Sequence, residues 1–296
     1  MRATILEDYK IPESELVLRS DGSLYHLGVR REHIADRVII VGDPDRVGKI
    51  SQRFDKIEHQ ICSREFVIHT GYYKDKRITV VSSGIGVDNI DIVINELDAA
   101  VNINLETRQS YPEDQRVSLK ILRLGTCGSL HADIPVGSVI CSRYAFALDG
   151  VPWSYEATSD ADELSLRNQL VQEFSWLNDK GLYAVGAGDA LFRQLCDGHI
   201  AGITATANGF YGPQGRSVRL KSLMSERIDA YARFTWQGYR ITNFEMECAG
   251  IYALSSMLGH EAVTMCVALA NRAMQTFHHH PELAIEDLIS RALDRF

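Results

Sequence analysis

The sequence predicts an α/β fold, with a single domain in which a central mixed β-sheet is flanked by helices. From about Arg37 onwards, apolar β-branched segments alternate with segments of helical periodicity, which is typical of a sheet covered by helices. The chain has 296 residues, of which 45% are hydrophobic, so it can form one large core but hardly two ordinary domains. The most informative motif of the chain, which contains Glu245 and Glu247, also lies where a predicted strand passes into a predicted helix. Such junctions are where α/β proteins bind their ligands.

The predicted elements follow one another along the chain. Eight segments are predicted strands: Val38–Val41, Ile78–Ser82, Leu119–Leu124, Gly137–Cys141, Leu182–Gly186, Ile203–Ala205, Tyr239–Phe244 and Ala262–Ala268. Four are predicted helices: Asn89–Val101, Asp162–Phe174, Ala249–Leu258 and Ala284–Leu293. The polar stretch Glu106–Ser118 has no apolar period and is predicted to be a surface excursion. Residues 1–24 are predicted to form an extended arm, and residues 25–296 the domain.

Composition and charge narrow the class of protein. The net charge of −8 argues against non-specific binding to nucleic acid or to an anionic membrane, so an anionic ligand would need a local arginine cluster. No apolar run is long enough to cross a bilayer, and the first residues lack the pattern of a signal peptide. The six cysteines are scattered without a CxxC, which fits a reducing compartment. We therefore expect a cytoplasmic protein. The run His278–His280 is interpreted as a solvated loop in preference to a metal site.

Two carboxylates, Glu245 and Glu247, lie one residue apart at a predicted strand-to-helix junction. Residues i and i+2 of a strand face the same side, so both carboxylates are expected to face one cleft. Three chemistries are open for such a pair, namely a metal site, a general acid/base pair and a clamp on sugar hydroxyls.

Two arginine motifs predict an anion site. Gly42-Asp43-Pro44-Asp45-Arg46 predicts a helix start with Asp43 as N-cap, and the free N–H groups there, with Arg46 one turn along, also suit an anion. Arg123 lies inside an apolar strand and precedes a predicted Gly-Thr-Cys-Gly loop in which Thr126 offers a hydroxyl. These groups suit phosphate, and the alternative for Arg123 is an internal salt bridge.

Two glycine-containing segments differ in how strongly they indicate a ligand-binding site. In Ser82–Asn89, the pattern Gly84-x-Gly86 lacks the third glycine of a dinucleotide site, and Asp88 or Asn89 is predicted to cap the following helix. The segment Asn208–Arg216 carries two aromatic rings, an amide and a guanidinium that a loop does not need for its turns. Such groups suit a flat heterocycle, because a ring can stack on it and donors can bind its edge.

Taken together, these motifs resemble those of uridine phosphorylases in the nucleoside phosphorylase-I superfamily. GDPDR, RLGTCG, FYGPQGR, NFEMECA and Ala270-Asn271-Arg272 occur in the order and approximate spacing of that family, from about Tyr25 to the end. The resemblance implies a nucleoside phosphorylase-like α/β/α fold. It also implies conversion of uridine and phosphate to uracil and ribose 1-phosphate, without a redox cofactor.

The resemblance further implies roles for individual residues. The implied phosphate ligands are Gly42, Arg46, Arg123 and Thr126, with Arg64 lent by a neighbouring subunit. The implied ribose ligands are Glu245, Met246 and Glu247, with His26 of the neighbour at the 5′-hydroxyl. The implied base pocket is Phe210, Gln214 and Arg216. Of these residues, Arg123, Glu247 and Arg216 are expected to be catalytic. The borrowed residues imply a homodimer as the minimal active unit, or a hexamer; their alternatives are a surface ion pair for Arg64 and a satisfied histidine for His26.

Some expectations depend on departures from the family pattern. Asn271 stands where purine-specific relatives generally carry an aspartate, so we expect a pyrimidine base. Cys127 and Cys248 replace hydroxyl residues, and the first of them raises the hypothesis that activity is sensitive to thiol oxidation. The resemblance leaves open a monovalent cation, K⁺, at a subunit interface near Glu65, Ile85 and Asn89. The alternatives are a purine nucleoside phosphorylase, a nucleosidase, and a non-catalytic nucleoside- or phosphate-binding protein.

Overall fold

A computed structural model describes residues 1–6, 9–177 and 181–296. The strands are β1 (Arg2–Ala3), β2 (Arg37–Val41), β3 (Lys56–Ser63), β4 (Phe66–Tyr73), β5 (Lys76–Ser82), β6 (Ile103–Asn104), β7 (Gln109–Ser110), β8 (Lys120–Ser129), β9 (Val139–Ala147), β10 (Ala157–Thr158), β11 (Tyr183–Gly186), β12 (Ile200–Thr206), β13 (Thr235–Trp236), β14 (Tyr239–Glu245), β15 (Glu261–Asn271) and β16 (Thr276–Phe277). The helices are α1 (Pro44–Ser51), α2 (Val87–Asn102), α3 (Ala161–Glu173), α4 (Asp189–Cys196), α5 (Ile228–Arg233), α6 (Cys248–Met257) and α7 (Pro281–Arg295).

A mixed sheet, to which twelve strands contribute within the described ranges, organises the molecule. Its main path runs β13-β14-β12-β9-β15-β8-β2-β5-β4-β3. The consecutive strands β15, β8, β2 and β5 are parallel to one another, whereas β15 is antiparallel to β9. Helices pack against the sheet, and the residues buried between them include a large apolar core. The predicted α/β class is confirmed, and each predicted strand and helix overlaps an observed one.

The sheet closes on itself at one end, which places the functional cleft. Strand β14 pairs with β12 and, at its last residues, also with the end of β8, so that Phe244 lies opposite Gly128. The strands β8, β15, β9, β12 and β14 therefore form a closed ring of pairings. Because β8, β14 and β15 reach the same end of this ring, the last residues of these strands and the residues directly after them lie close together.

The sequence prediction was wrong about the segment Gly125–Gly128. It was expected to be a loop, but β8 continues to Ser129, because these residues pair with β15 and then with β14. A side chain on Gly125 would overlap the guanidinium of Arg123 and the sulfur of Cys266. Glycine at this position makes room for a buried arginine within the sheet.

Residues 1–6 and 9–24, the part of the predicted arm that the structure describes, contact the domain. Strand β1 pairs with β10, and Leu16 and Leu24 are buried in the main core. The boundary at residue 24 stays a prediction. Between α2 and β8, the stretch Glu106–Ser118 is largely exposed and includes the short strand β7. Within the described ranges, no helix has both the length and the apolar character needed to cross a membrane.

Candidate active site

A cleft of about 840 Å³ lies at the end of the closed ring of strands. Ten of the residues to which the sequence assigned a role line it: Gly42, Arg46, Arg123, Thr126, Phe210, Gln214, Arg216, Glu245, Met246 and Glu247. The remaining two, His26 and Arg64, are not among its lining residues. Residues from segments more than 200 positions apart thus share one cavity.

Arg46 brings a buried positive charge to this cleft. Asp43 caps α1 as predicted, since its carboxylate accepts a hydrogen bond from the backbone N–H of Asp45 at 3.0 Å. Arg46 follows in the first turn, is only 9% exposed, and donates to the backbone carbonyl of Leu124 at 3.2 Å. Burial lowers the pKa of Arg46, and the charge of Arg123 lowers it further against the opposing effect of Asp43. In the described part of the chain, no carboxylate lies within ion-pair distance of its guanidinium.

Arg123, by contrast, is fully paired. Its Nη1 lies 3.2 Å from Oε2 of Glu245 and 3.1 Å from the sulfur of Cys266, and its Nη2 forms an ion pair with Glu247. The alternative of an internal salt bridge is therefore confirmed for this residue. Burial lowers the pKa of Arg123, but Glu247 and then Cys266 and Glu245 outweigh that effect and hold it well above its ordinary value.

The two glutamates converge by a route that the sequence prediction did not foresee. Strand β14 ends at Glu245, and Glu247 occupies the N-cap position of α6, so the two are not successive residues on one face of a strand. Their carboxylates come together because Arg123 lies between them. The predicted cap of α2 by Asp88 or Asn89 was also wrong, because the helix follows Gly86, whose N–H donates to Oε1 of Glu247 at 2.8 Å.

Glu245 has little capacity left for a ligand. It accepts hydrogen bonds from the hydroxyl of Thr206 at 2.6 Å and from the backbone N–H groups of Glu247 and Cys248 at 2.8 Å. It thereby satisfies two free donors at the start of α6. Burial raises the pKa of Glu245, and Arg123 opposes this rise. Within the described ranges, Oε1 of Glu247 accepts one hydrogen bond, from Gly86, and a carboxylate oxygen can accept two.

Contacts between its own side chains hold the loop that carries the predicted base ligands. Gln214 is 3% exposed, and its side-chain oxygen accepts a hydrogen bond from Arg216 at 2.7 Å. The guanidinium of Arg216 also lies 3.7 Å from the centre of the half-exposed Phe210 ring. Burial, together with the nearby charge of Arg272, lowers the pKa of Arg216 to about 10, so the side chain remains charged at neutral pH.

Arg272 contributes to this loop in a way that sequence reasoning missed. It donates to the backbone carbonyls of Gln214 at 3.0 Å and Gly215 at 3.2 Å, tying the loop to the end of β15. It was part of the motif Ala270-Asn271-Arg272, and that motif was the one available signal. Asn271, which was expected to bear on the choice of base, is bound to the backbone instead. Its amide nitrogen donates to the carbonyls of His131 and Ile134, and its oxygen accepts from the N–H of Met274. The Asn271 amide is thus occupied by backbone groups, and it does not line the cleft.

The residues named for a cation lie along the cleft. Glu65, Ile85 and Asn89 all line it, and the side-chain nitrogen of Asn89 lies against Gly84. In the parts of the chain that the structure describes, no group of three or more His, Cys, Asp or Glu side chains is arranged to hold a metal ion. A monovalent ion there would have to use carbonyl and amide oxygens, and it stays an expectation.

Comparison with known proteins extends the resemblance over nearly the whole chain. A family model described as the phosphorylase superfamily matches residues 36–295. A uridine phosphorylase of Thermococcus kodakarensis is 30% identical over 271 residues, covering 90% of this chain and 84% of the relative. A DeoD-type purine nucleoside phosphorylase of Caldanaerobacter subterraneus subsp. tengcongensis is 26% identical over 250 residues, covering 81% and 84%. Among solved structures, a Trypanosoma brucei nucleoside phosphorylase described as showing uridine phosphorylase activity aligns with a TM-score of 0.83 and 29% identity, covering 95% of this chain and 99% of that one.

Proposed function

The chain belongs to the phosphorylase superfamily, as its motifs predicted, and from this premise we propose that it catalyses phosphorolysis of a pyrimidine nucleoside. The reaction is uridine plus inorganic phosphate giving uracil and ribose 1-phosphate, a step of nucleoside salvage or catabolism. Phosphate is a co-substrate, and no redox cofactor takes part. The similarity to uridine phosphorylases of Thermococcus kodakarensis and Trypanosoma brucei supports the choice of uridine.

The observation that carries the proposal is the unpaired charge of Arg46. Among the residues that the structure describes, a backbone carbonyl is the one hydrogen-bond partner of this guanidinium. A buried cation that faces a cavity in this way is costly unless an anion neutralises it. Thr126, with its hydroxyl, and Gly42 line the same cleft. Phosphate is already a nucleophile near neutral pH, so the protein has to orient it and hold its charge, and a general base is not required.

Glu247 suits the ribose. Arg123 and Gly86 fix its carboxylate, and its remaining acceptor capacity matches the 2′- and 3′-hydroxyls of a sugar above the phosphate. Glu245 positions Glu247 by accepting a hydrogen bond from its backbone N–H at the start of α6. Met246, between the two glutamates in the sequence, also lines the cleft. Of the three chemistries that the sequence left open for the glutamate pair, the sugar clamp is the one these contacts support.

The base loop suits a leaving pyrimidine. Cleavage of the N-glycosidic bond builds positive charge on the sugar and negative charge on the base. Phosphate beneath the sugar stabilises the first charge, whereas Arg216 and the Gln214 amide stabilise the second. Phe210 offers a ring face for stacking.

The active unit in this proposal is a homodimer, or a hexamer built from dimers, in the cytoplasm. His26 and Arg64 do not line the cleft of their own chain, yet both are accessible at the surface. They are therefore available to the cleft of a second copy, His26 for the ribose 5′-hydroxyl and Arg64 for phosphate.

A purine nucleoside phosphorylase is the second candidate. The DeoD-type relative matches most of the chain. In addition, Asn271 does not line the cleft, so its replacement of an aspartate is a weak argument against a purine. The choice of a pyrimidine then depends on Gln214 and Arg216.

Base release decides between these possibilities. The purified protein is incubated with uridine, thymidine or inosine, with and without phosphate, and free base is quantified by chromatography. We expect phosphate-dependent release of uracil. Release from inosine alone would identify a purine enzyme, and release without phosphate would identify a nucleosidase. An Arg46→Ala variant purified in parallel controls for contaminating host enzymes.

A further inference from the structure

The surface pair His26 and Arg64 is held by side chains to which no role has been assigned so far. We propose that Arg19 and Glu96 are positioning residues, which hold His26 and Arg64 in place before a second copy binds. This inference rests on the proposed function, in which the pair completes the cleft of that second copy. It adds a preformed support to a part of the site that is otherwise exposed.

Arg19 joins the two segments that carry the pair. Its Nε donates to the backbone carbonyl of Tyr25 at 2.9 Å, and its Nη2 donates to the carbonyl of His26 at 3.1 Å. The same Nη2 contacts the hydroxyl of Ser63, which also donates to the His26 carbonyl. Ser63 directly precedes Arg64 in the turn between β3 and β4. One guanidinium therefore binds the backbone of the His26 segment and the side chain of Ser63, the residue next to Arg64.

Gly28 shows how closely Arg19 is packed. Its φ of +68° is in the region that favours glycine, and a Cβ there would lie 2.6 Å from Nη1 of Arg19. The loop around His26 thus bends over the guanidinium at a residue without a side chain. Leu24 and Leu27 on either side of His26 are almost fully buried, so the loop is anchored on the core.

Glu96, on α2, fixes the ring of His26. Its Oε1 lies 2.6 Å from Nδ1 of His26, and its two oxygens accept the backbone N–H groups of His26 at 3.0 Å and Leu27 at 2.7 Å. A carboxylate that receives these contacts is an acceptor, so the hydrogen of the ring lies on Nδ1. Nε2 of the neutral ring is then an acceptor for a hydroxyl such as the ribose 5′-hydroxyl. The side chain of Glu96 is 13% exposed, against 31% for His26.

Aromatic contacts complete the support. The guanidinium of Arg64 lies 4.7 Å from the centre of the Tyr25 ring, which in turn meets the His26 ring edge-to-face at 5.0 Å. Arg64 itself has a φ of +54°, a backbone conformation that the β3–β4 turn holds. Fixing these side chains in advance reduces the entropy lost when a ligand binds.

The first test separates positioning from general stability. Glu96→Gln removes the charge and replaces one acceptor oxygen by a donor, so the ring of His26 loses its fixed hydrogen position. We expect the ratio of kcat/KM for uridine over 5′-deoxyuridine to fall about tenfold, because only uridine has the hydroxyl that His26 binds. The KM for phosphate should not change. Glu286→Gln, which removes a partly exposed carboxylate paired with Arg53, is the matched control.

The second test uses Arg19→Lys, which keeps the charge but loses the forked donors. We expect both the uridine/5′-deoxyuridine ratio and the affinity for phosphate to fall, because Arg19 holds the segments of both His26 and Arg64. Arg31→Lys is the control, since Arg31 contacts a carbonyl of Gln115 at the surface. Effects on neither quantity in an active protein would overturn the role of Arg19.

Nitrogen NMR of His26 gives a readout that does not depend on turnover. Wild type should show hydrogen on Nδ1, and Glu96→Gln should lose that preference. If the tautomer and the substrate ratio are both unchanged in active Glu96→Gln protein, the proposal for Glu96 is wrong. A wild-type protein that releases no base from any nucleoside would instead remove the proposed function, and this inference with it.

Discussion

The polar side chains of the cleft and those of the surface pair are held in opposite ways. In the cleft, Arg46, Arg123, Glu245 and Glu247 are all less than 10% exposed, and three of them form one buried ion-pair network. The surface pair is accessible; His26 is held by Glu96, and Arg64 rests on an aromatic ring. Buried charges depend on one another for solvation, whereas exposed charges are solvated by water. Substitutions in the cleft should therefore change stability and activity, and those in the surface pair activity alone.

Arg123→Met should have the largest effect on stability. It removes the cation between two buried carboxylates, and breaking a buried pair in this way costs about 3–5 kcal/mol of unfolding free energy. Denaturant unfolding measures the change. Arg240→Met is the control, because its ion pair with Asp133 is exposed and should contribute about 1 kcal/mol or less. Equal losses in both variants would contradict the contrast between buried and exposed charges.

Glu247→Gln should have the next largest effect, on activity. The amide keeps the size of the side chain but has one acceptor oxygen, so the hydrogen bonds to ribose hydroxyls weaken. We expect kcat/KM for uridine to fall about 10- to 100-fold, the effect of losing a hydrogen bond to a charged group. The KM for phosphate should change far less. A loss of phosphate affinity as large as the loss of kcat/KM for uridine would assign Glu247 to the phosphate site instead.

Subunit complementation tests the surface pair directly. Arg46→Ala and Arg64→Ala should each lower uridine phosphorolysis about tenfold or more, through the lost contact with phosphate. In a mixed dimer, the cleft of the Arg64→Ala chain receives an intact Arg64 from its neighbour, so co-expression of differently tagged chains should restore about a quarter of the wild-type sites. Arg64→Ala should leave the unfolding free energy unchanged. Activity that equals only the sum of the two variants would place Arg64 outside a shared site.

Cys127 should show the smallest response, because its surroundings argue against the hypothesis of an oxidation-sensitive thiol. Burial, and then its contact with Cys266, raise the pKa of Cys127 well above the ordinary value. The thiolate is the reactive form, so Cys127 should stay unlabelled by iodoacetamide as the pH rises from 7 to 9. The exposed Cys62 provides the internal control in the same mass spectrum. Labelling of Cys127 in folded protein, blocked by phosphate, would restore the original hypothesis.

Local sequence patterns predicted the elements that have a strong apolar signal. The strand Val38–Val41 and the cap at Asp43 agree with the structure, because both depend on neighbours in the chain. The hairpin of β3 and β4 was missed. Strand β3 lies at the edge of the sheet, and most of its residues are exposed or only partly buried, so it lacks the alternation that identifies a half-buried strand.

The sequence by itself determined the family, the α/β class and ten of the residues that line the cleft, because these features are written in contiguous motifs. The tertiary structure alone decided what those side chains bind. The ion pair of Arg123 with Glu247 joins residues 124 positions apart, and the amide of Asn271 is occupied by carbonyls about 140 positions away. Such partners depend on strand register and on the closure of β14 onto β8, which bring distant segments together. Local periodicity specifies which residues face the core, but a buried charge is paired by whichever strand lies next to it.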